Sequence, residues 1–398
     1  MGPASMWFAG VVALLVPQCA STFKLVCYFT SWSQYRETSG RFIPDEIDPH
    51  LCTHIIYAFA NIENNRIVRY EWNDDTTYTA INELKTRNPS LKTLISLGGQ
   101  NMRPELFGNV TASPARRSEF VTSVVQFLKT HGFDGFDLAW HTTESNSKRR
   151  LSDLVQDLSI AFERETRKNP GSEKLILSVA VPAGKETINK AYDIKKISRF
   201  ADFLNFMTFD FHGYWDDHSH KYTGHGSPLY KSKVDSGVAS SYNVDEAVKF
   251  LKRKGAPAEK IIMGIPTYGQ TFTLSSILTG LGASASGPGT AAEFTKLPGI
   301  MAYYEICNFN HGATVERIEE QAVPYSHKGN QWVGYEDKTS VQTKVQYMKN
   351  NHLGGVMIWT IELDDFSGFF CKDGKYPLLS AVKQELDKQE PSFAIELP

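Results

Sequence analysis

Two acids sit at a spacing that chemistry can use: Asp134 and Asp137 lie in the run Phe133-Asp134-Gly135-Phe136-Asp137-Leu138-Ala139-Trp140-His141. Apolar Phe133, Phe136 and Leu138 are interleaved with them, Gly132 precedes, and a polar loop from His141 to Lys148 follows. The pattern predicts a short strand that delivers both carboxylates to its carboxyl end, where α/β sheets and barrels place reacting groups. There a carboxylate can move a proton or stabilise a charge; alternatively, both acids are satisfied by neighbouring backbone in a buried strand. His141 adds a second candidate acid, with an unperturbed pKa of about 6.5. Asp137, His141, Asp210 and His212 are also residue types that could hold a metal ion.

These residues need a scaffold, and apolar runs supply one. Phe23–Phe29, His54–Ala60, Leu91–Leu97, Phe133–Trp140, Leu175–Ala180, Phe203–Phe209, Ile261–Thr267 and Gly355–Trp359 read as strands separated by amphipathic segments. The alternation predicts an α/β chain folded as a (β/α)8 TIM barrel. Ser113-Pro114 marks a helix start, Asn243 with Glu246 suggests a capping box closed off by Gly255, and Leu151, Leu154, Val155, Leu158 and Phe162 follow helical spacing as core positions. The span between Thr267 and Gly355 is too long for an ordinary connection, so a small α+β insertion is expected at 272–336. The barrel then comprises 23–271 and 337–390, with a tail at 391–398.

Met1 to Thr22 holds an apolar run followed by small residues and reads as a signal peptide, too short for a membrane span. No other stretch is long and apolar enough to cross a bilayer. Cys19 leaves with that segment, and the remaining Cys27, Cys52, Cys307 and Cys371 make an even number in a secreted context, compatible with three pairings. Asn109-Val110-Thr111 is an N-glycosylation sequon. A formal net charge of −2 gives no global reason to expect nucleic acid as a partner.

The run Asp134 to His141 resembles the signature of family 18 glycoside hydrolases, the chitinases: Asp-Gly-x-Asp-x-Asp-Trp-Glu. Asp134 and Asp137 match its first two acids, whereas Ala139 stands at the third Asp and His141 at the catalytic Glu. Tyr28-Phe29-Thr30-Ser31-Trp32, Ser96-Leu97-Gly98-Gly99, Met207-Thr208-Phe209-Asp210-Phe211-His212-Gly213 and Gly264-Ile265-Pro266-Thr267-Tyr268-Gly269 resemble further family motifs, in family order. In such chitinases the Glu protonates the glycosidic oxygen and the substrate's own acetamide attacks the anomeric carbon, oriented by the third Asp. Ala139 offers neither charge nor hydrogen bond, and Phe209 replaces a tyrosine that helps hold the acetamide. The resemblance therefore implies a catalytically dead site, of the kind found in mammalian chitinase-like lectins.

The same resemblance implies a sugar cleft floored by Trp359, with Trp32 as an outer platform on the non-reducing side. Tyr28, Phe59, Met207, Tyr268 and Met357 match its apolar lining, Asn101 and Asp210 its polar groups, and Trp215 a reducing-side aromatic. Gln100 and Gln270 replace a tryptophan and an arginine, and His220 lies in a short insertion that reshapes the reducing-side rim. The resemblance also selects the pairings Cys27–Cys52 and Cys307–Cys371, and implies no metal and no cofactor. The expected protein is a secreted, monomeric lectin for chitooligosaccharides or other N-acetylglucosamine-containing glycans. Its rivals are a protein-binding or signalling module with a vestigial cleft, and a residual chitinase using His141. Lys148-Arg149-Arg150 marks a place where sulfated glycosaminoglycan could bind.

Overall fold

Eight parallel strands close on themselves in the computed structural model, which describes residues 23–99, 102–140, 147–214 and 221–388. They are β1 (Lys24–Thr30), β2 (His54–Glu63), β3 (Lys92–Gly98), β4 (Gly135–Ala139), β5 (Ile176–Pro182), β6 (Phe203–Met207), β7 (Ile261–Pro266) and β8 (Gly355–Trp359). Each pairs in parallel with its successor, and β8 returns to β1 through the register Lys24↔Gly355 to Cys27↔Ile358. This is the expected (β/α)8 barrel. Its strands are buried on both faces, by the barrel interior on one side and the helices on the other, which is why they read as continuous apolar runs.

Period-two alternation sorts β4. Phe136, Leu138 and Trp140 join the large core between strands and helices, whereas Asp137 and Ala139 lie on the opposite face. The helix Pro114–His131 begins as predicted, with Ser113 Oγ accepting the Arg116 N–H at 3.3 Å, and ends at Gly132 with φ 75°. Helix Val244–Arg253 is capped by Asn243, whose Oδ1 accepts the Glu246 N–H at 2.9 Å. The reciprocal half of that expected box is absent among the described residues, because the Glu246 carboxylate lies 3.3 Å from Lys185 Nζ instead.

A second, antiparallel sheet lies between β7 and β8. Its strands are Tyr268–Leu274, Ala285–Pro288, Ile300–Ala302, Thr314–Ile318, Val323–Lys328 and Gln331–Gly334, and the helix Tyr303–Phe309 joins them. It starts at Tyr268, ahead of the boundary expected at 272, since Thr267 alone separates β7 from the first strand of the second sheet. Phe272, Val323, Tyr325 and Trp332 form its own core. The Cys307–Cys371 disulfide ties it to the segment after β8, and Cys27–Cys52 ties β1 to the turn before β2. A buried Lys344–Glu336 ion pair adds a third joint, with Lys344 Nζ also donating to the Ser227 carbonyl at 2.6 Å.

Candidate functional site

Asp137 is the polar hub of the barrel interior. Its register partners are Ser96 on β3 and Ser178 on β5, and both hydroxyls donate to its carboxylate, at 2.7 and 2.6 Å. Tyr28 Oη from β1 donates at 2.8 Å and Asn205 Nδ2 from β6 at 3.0 Å. Burial pushes the Asp137 carboxyl up, and the four hydrogen bonds pull it back. Burial and the adjacent Asp137 raise the Tyr28 hydroxyl far above its ordinary value, so Tyr28 stays a donor. The carboxylate is committed to holding the barrel mouth rather than free to act as an acid.

Asp134 is elsewhere, contrary to the expectation that one strand presents both acids. β4 starts at Gly135, so Asp134 precedes its amino end, accepting from the Thr93 N–H at 2.7 Å and Lys85 Nζ at 3.1 Å. Gly135 has no freedom to be anything larger, since a Cβ there would stand 2.4 Å from the Ile176 carbonyl oxygen. The two acids are thus separated along the barrel axis, Asp134 before the amino end of the strand and Asp137 in its middle, inside the barrel. Signature residue Trp140 also leaves the cleft, buried against Phe107 at 3.9 Å between ring centroids.

Aromatic side chains from β1 and the helical turn after it (Ser31–Tyr35), from β2 and from β8 form a path across the barrel mouth. The Trp359 ring lies 5.0 Å from Tyr28 and 6.2 Å from Phe59, and Phe59 is stacked on Trp32 at 6.0 Å with 26° between planes. Tyr28 and Met357 are closed off beneath this floor, both buried in the same apolar cluster, so they support the surface without forming it. Trp359, Phe59 and Met207 are half-buried and Trp32 is exposed. Gly99 makes the close approach possible: its φ is 81°, and a Cβ there would meet the Phe59 ring at 2.6 Å.

Asp210 lines one side, at φ 59°, with Tyr268 Oη donating to it at 2.5 Å and Gln270 Nε2 at 2.8 Å. Burial raises its carboxyl, against the two donors. Phe209 packs edge-on to Tyr268 at 6.4 Å and abuts Gly264, where a Cβ would come within 2.8 Å of its ring. The position where a tyrosine hydroxyl would be expected is therefore a phenyl edge in an apolar wall, and the buried Ala139 contributes only a methyl group. Asn101, Trp215, Gln100, His141, His220 and the segment 1–22 lie outside the described residues.

Two cleft-side aromatics escaped the sequence reading. Tyr35 is 55% exposed and donates to Glu71 Oε2 at 2.7 Å, and the neighbouring Trp72 is 82% exposed. The signal was present in Tyr70-Glu71-Trp72, aromatics flanking an acid in a polar stretch with no apolar periodicity to bury them. Lys148 and Arg150 are half-buried and Arg149 exposed, with Lys148 Nζ donating to the Asn189 carbonyl at 3.3 Å. Asn109 is exposed near the end of the helix Pro104–Val110. Among the described residues no three His, Cys, Asp or Glu side chains converge as a metal site, and no helix is long and apolar enough to cross a membrane.

Residues 24–364 match the family described as glycosyl hydrolases family 18. The chain belongs to that family. It is 47% identical to Chitinase-3-like protein 2 of Homo sapiens over 386 residues, covering 97% of this chain and 98% of the relative. It is 45% identical to Chitotriosidase-1 of Mus musculus over 389 residues, 96% of this chain and 82% of the relative. Among solved structures it is similar to human YKL-39, described as a pseudo-chitinase with retained chitooligosaccharide binding properties. The TM-score is 0.89 at 47% identity, covering 92% of this chain and 100% of that one. Within family 18 this chain is a catalytically inactive member: the positions of the signature's third Asp and of its Glu hold Ala139 and His141.

Proposed function

We propose that the protein is a secreted lectin that binds chitooligosaccharides and related N-acetylglucosamine-containing glycans without cleaving them. One observation carries the reading: the aromatic path Trp32–Phe59–Trp359 is continuous at the barrel mouth, while Ala139 and Phe209 remove the groups that would orient an acetamide for attack. Indole and phenyl faces cover the apolar faces of pyranose rings, and Asp210 stands beside them as a hydrogen-bond acceptor for a hydroxyl or amide. Titration calorimetry with chitotetraose should show binding, and a chromogenic chitobioside should release nothing above background. Absence of heat across a pH range would overturn the lectin reading and favour a vestigial cleft on a protein-binding module. Secretion rests on residues 1–22 and on the two disulfides, which form in oxidising compartments. Recovery of the processed, glycosylated chain from the medium of expressing cells tests it, together with modification at Asn109.

A further inference from the structure

At the amino-terminal end of the barrel, three neighbouring strands open with basic side chains: Lys24 on β1, His54 on β2 and Lys92 on β3. His54 is the register partner of Lys92 on one side and of Val26, two residues beyond Lys24, on the other. By alternation all three share the inner face with Val26, Ile56 and Leu94, which pack with Phe203 inside the barrel. Lys24 Nζ lies 6.0 Å from the centre of the Phe203 ring, and the His54 ring meets that ring edge-on at 5.5 Å. All three basic residues are half-buried.

Negative charge does not match this cluster. Lys24 has no ion-pair partner among the described residues. Of the acids at this end, Asp134 is held by Lys85 at 3.1 Å and Asp202 by Lys174 at 3.0 Å, and Glu259, exposed before β7, pairs with none of the three. Glu173 reaches Lys92, but its side chain is 77% exposed, and a pair so open to water is worth little. The His54 ring is held in one tautomer. Thr53 Oγ1 donates to the Leu25 carbonyl at 3.0 Å and so accepts from Nδ1 at 2.8 Å, which leaves Nε2 with no hydrogen bond among the described residues. Burial, then Lys24 and Lys92, lower the pKa of this ring to about 4, with Asp134 as the opposing charge.

We propose that Lys24, Lys92 and His54 Nε2 bind a small tetrahedral oxyanion, a sulfate or phosphate group, at the amino-terminal end of the barrel. The two ammonium groups supply the charge, and Nε2, once protonated, donates to an oxygen of the anion. Binding and protonation of His54 are therefore linked, because the anion offsets the repulsion that keeps the ring neutral. The site lies at the strand ends opposite to those that carry Trp32 and Trp359, so it stands or falls independently of the carbohydrate reading.

An NMR titration of the His54 ring in the full chain between pH 3 and 7 tests this. Sodium sulfate is compared with sodium chloride at equal ionic strength, since screening alone weakens the repulsion from the two lysines. Sulfate should raise the His54 pKa by about 1 more than chloride does, as expected of an opposite charge within a few ångströms. Lys24→Gln and Lys92→Gln should each raise the pKa in chloride, through loss of a repelling charge, and each should cut the response to sulfate by at least about half. A parallel titration with glucose 6-phosphate distinguishes a monoester from the free ion, since it carries the same kind of group on a bulkier body. Equal His54 pKa values in sulfate and chloride would overturn the site. So would a sulfate response that survives in the double variant Lys24→Gln, Lys92→Gln.

Discussion

Tyr28 and Asp137, 109 positions apart in the chain, meet inside the barrel with the phenol donating to the carboxylate at 2.8 Å. That bond, with those from Ser96, Ser178 and Asn205, converts a residue of the family's catalytic signature into a structural acceptor. Replacing it exposes how much the barrel depends on it. Asp137→Ala leaves four buried donors facing a small cavity, and a buried unsatisfied polar group typically costs about 1–3 kcal/mol. Urea unfolding should show a loss of at least about 3 kcal/mol, against about 1–2 kcal/mol for Asp134→Ala, whose partly exposed pair with Lys85 is worth little but whose carboxylate also accepts the N–H of buried Thr93.

Catalysis should return only when several groups are restored together. Ala139→Asp alone gives the acetamide a partner but no acid, and His141→Glu alone supplies the acid without the partner. Phe209→Tyr adds the hydroxyl in a wall now apolar. Residues that act as a unit are strongly non-additive, so the triple variant should release chromophore from a chitobioside while each single change gives almost none. Robust turnover by His141→Glu alone would show that the loss resides elsewhere.

Sugar affinity should follow the aromatic floor. Trp359→Ala removes the ring that touches both Tyr28 and Phe59 and should cost chitotetraose about 2 kcal/mol or more of binding, the magnitude expected of a central aromatic anchor. Trp32→Ala, at an exposed platform, should cost less. Gln100→Trp should tighten only ligands long enough to cross the centre. Calorimetry with chains of two to six sugars separates the three, and equal affinity of wild type and Trp359→Ala would remove the floor from the account.

Two histidines, His225 buried and His54 half-buried, tie stability to pH. Burial, with Lys344 as a lesser cause, lowers His225 to about 3, and its ring is fixed between the Tyr335 carbonyl and the Ser227 N–H. Burial, then Lys24 and Lys92, lowers His54 to about 4. Unfolded imidazoles take protons near pH 6.5 and the folded ones do not, so their contribution is full above about 6.5 and is lost as pH falls towards 3–4. Asp364, pushed up to about 7 by burial, works in the opposite sense: the folded state keeps its proton, and that contribution fades as pH rises from about 4 to 7. Asp137, Asp210, Glu336 and Glu362 are raised by burial in the same direction as Asp364. Differences between variants isolate each group. Denaturation between pH 4.5 and 6 should give His225→Gln a slope lower than wild type by about 1.4 kcal/mol per pH unit, and Asp364→Asn a slope higher by about as much.

All eight barrel strands were legible as apolar runs, because burial on both faces leaves few positions for polar residues, and those present, such as Ser96, Asp137, Ser178 and Asn205, bond one another. The strand ends carrying Trp32, Phe59, Asp210 and Trp359 were legible as motifs. Asp134 was misplaced for a physical reason: spacing within a run does not say where the strand starts, and the deciding contact, Gly135 against the Ile176 carbonyl, is long-range. Met357 and Trp359 share a face of β8 by parity, yet one is sealed and the other open, since only depth in the barrel distinguishes them. Trp72 and Tyr35 carried no periodic signal at all. Their exposure depends on Asp74, Asn73 and Gln34 holding two loops together from distant parts of the chain.

The Cys307–Cys371 link has a mechanical consequence. It closes a loop spanning 64 positions that contains β8, the helix Lys338–Asn350 and three strands of the second sheet. If the molecule were stretched between Phe23 and Lys388, tension would run through the sulfur–sulfur bond and skip everything inside that loop. Trp359 would then be among the residues never drawn out along the line of force, however far the rest of the barrel was unravelled.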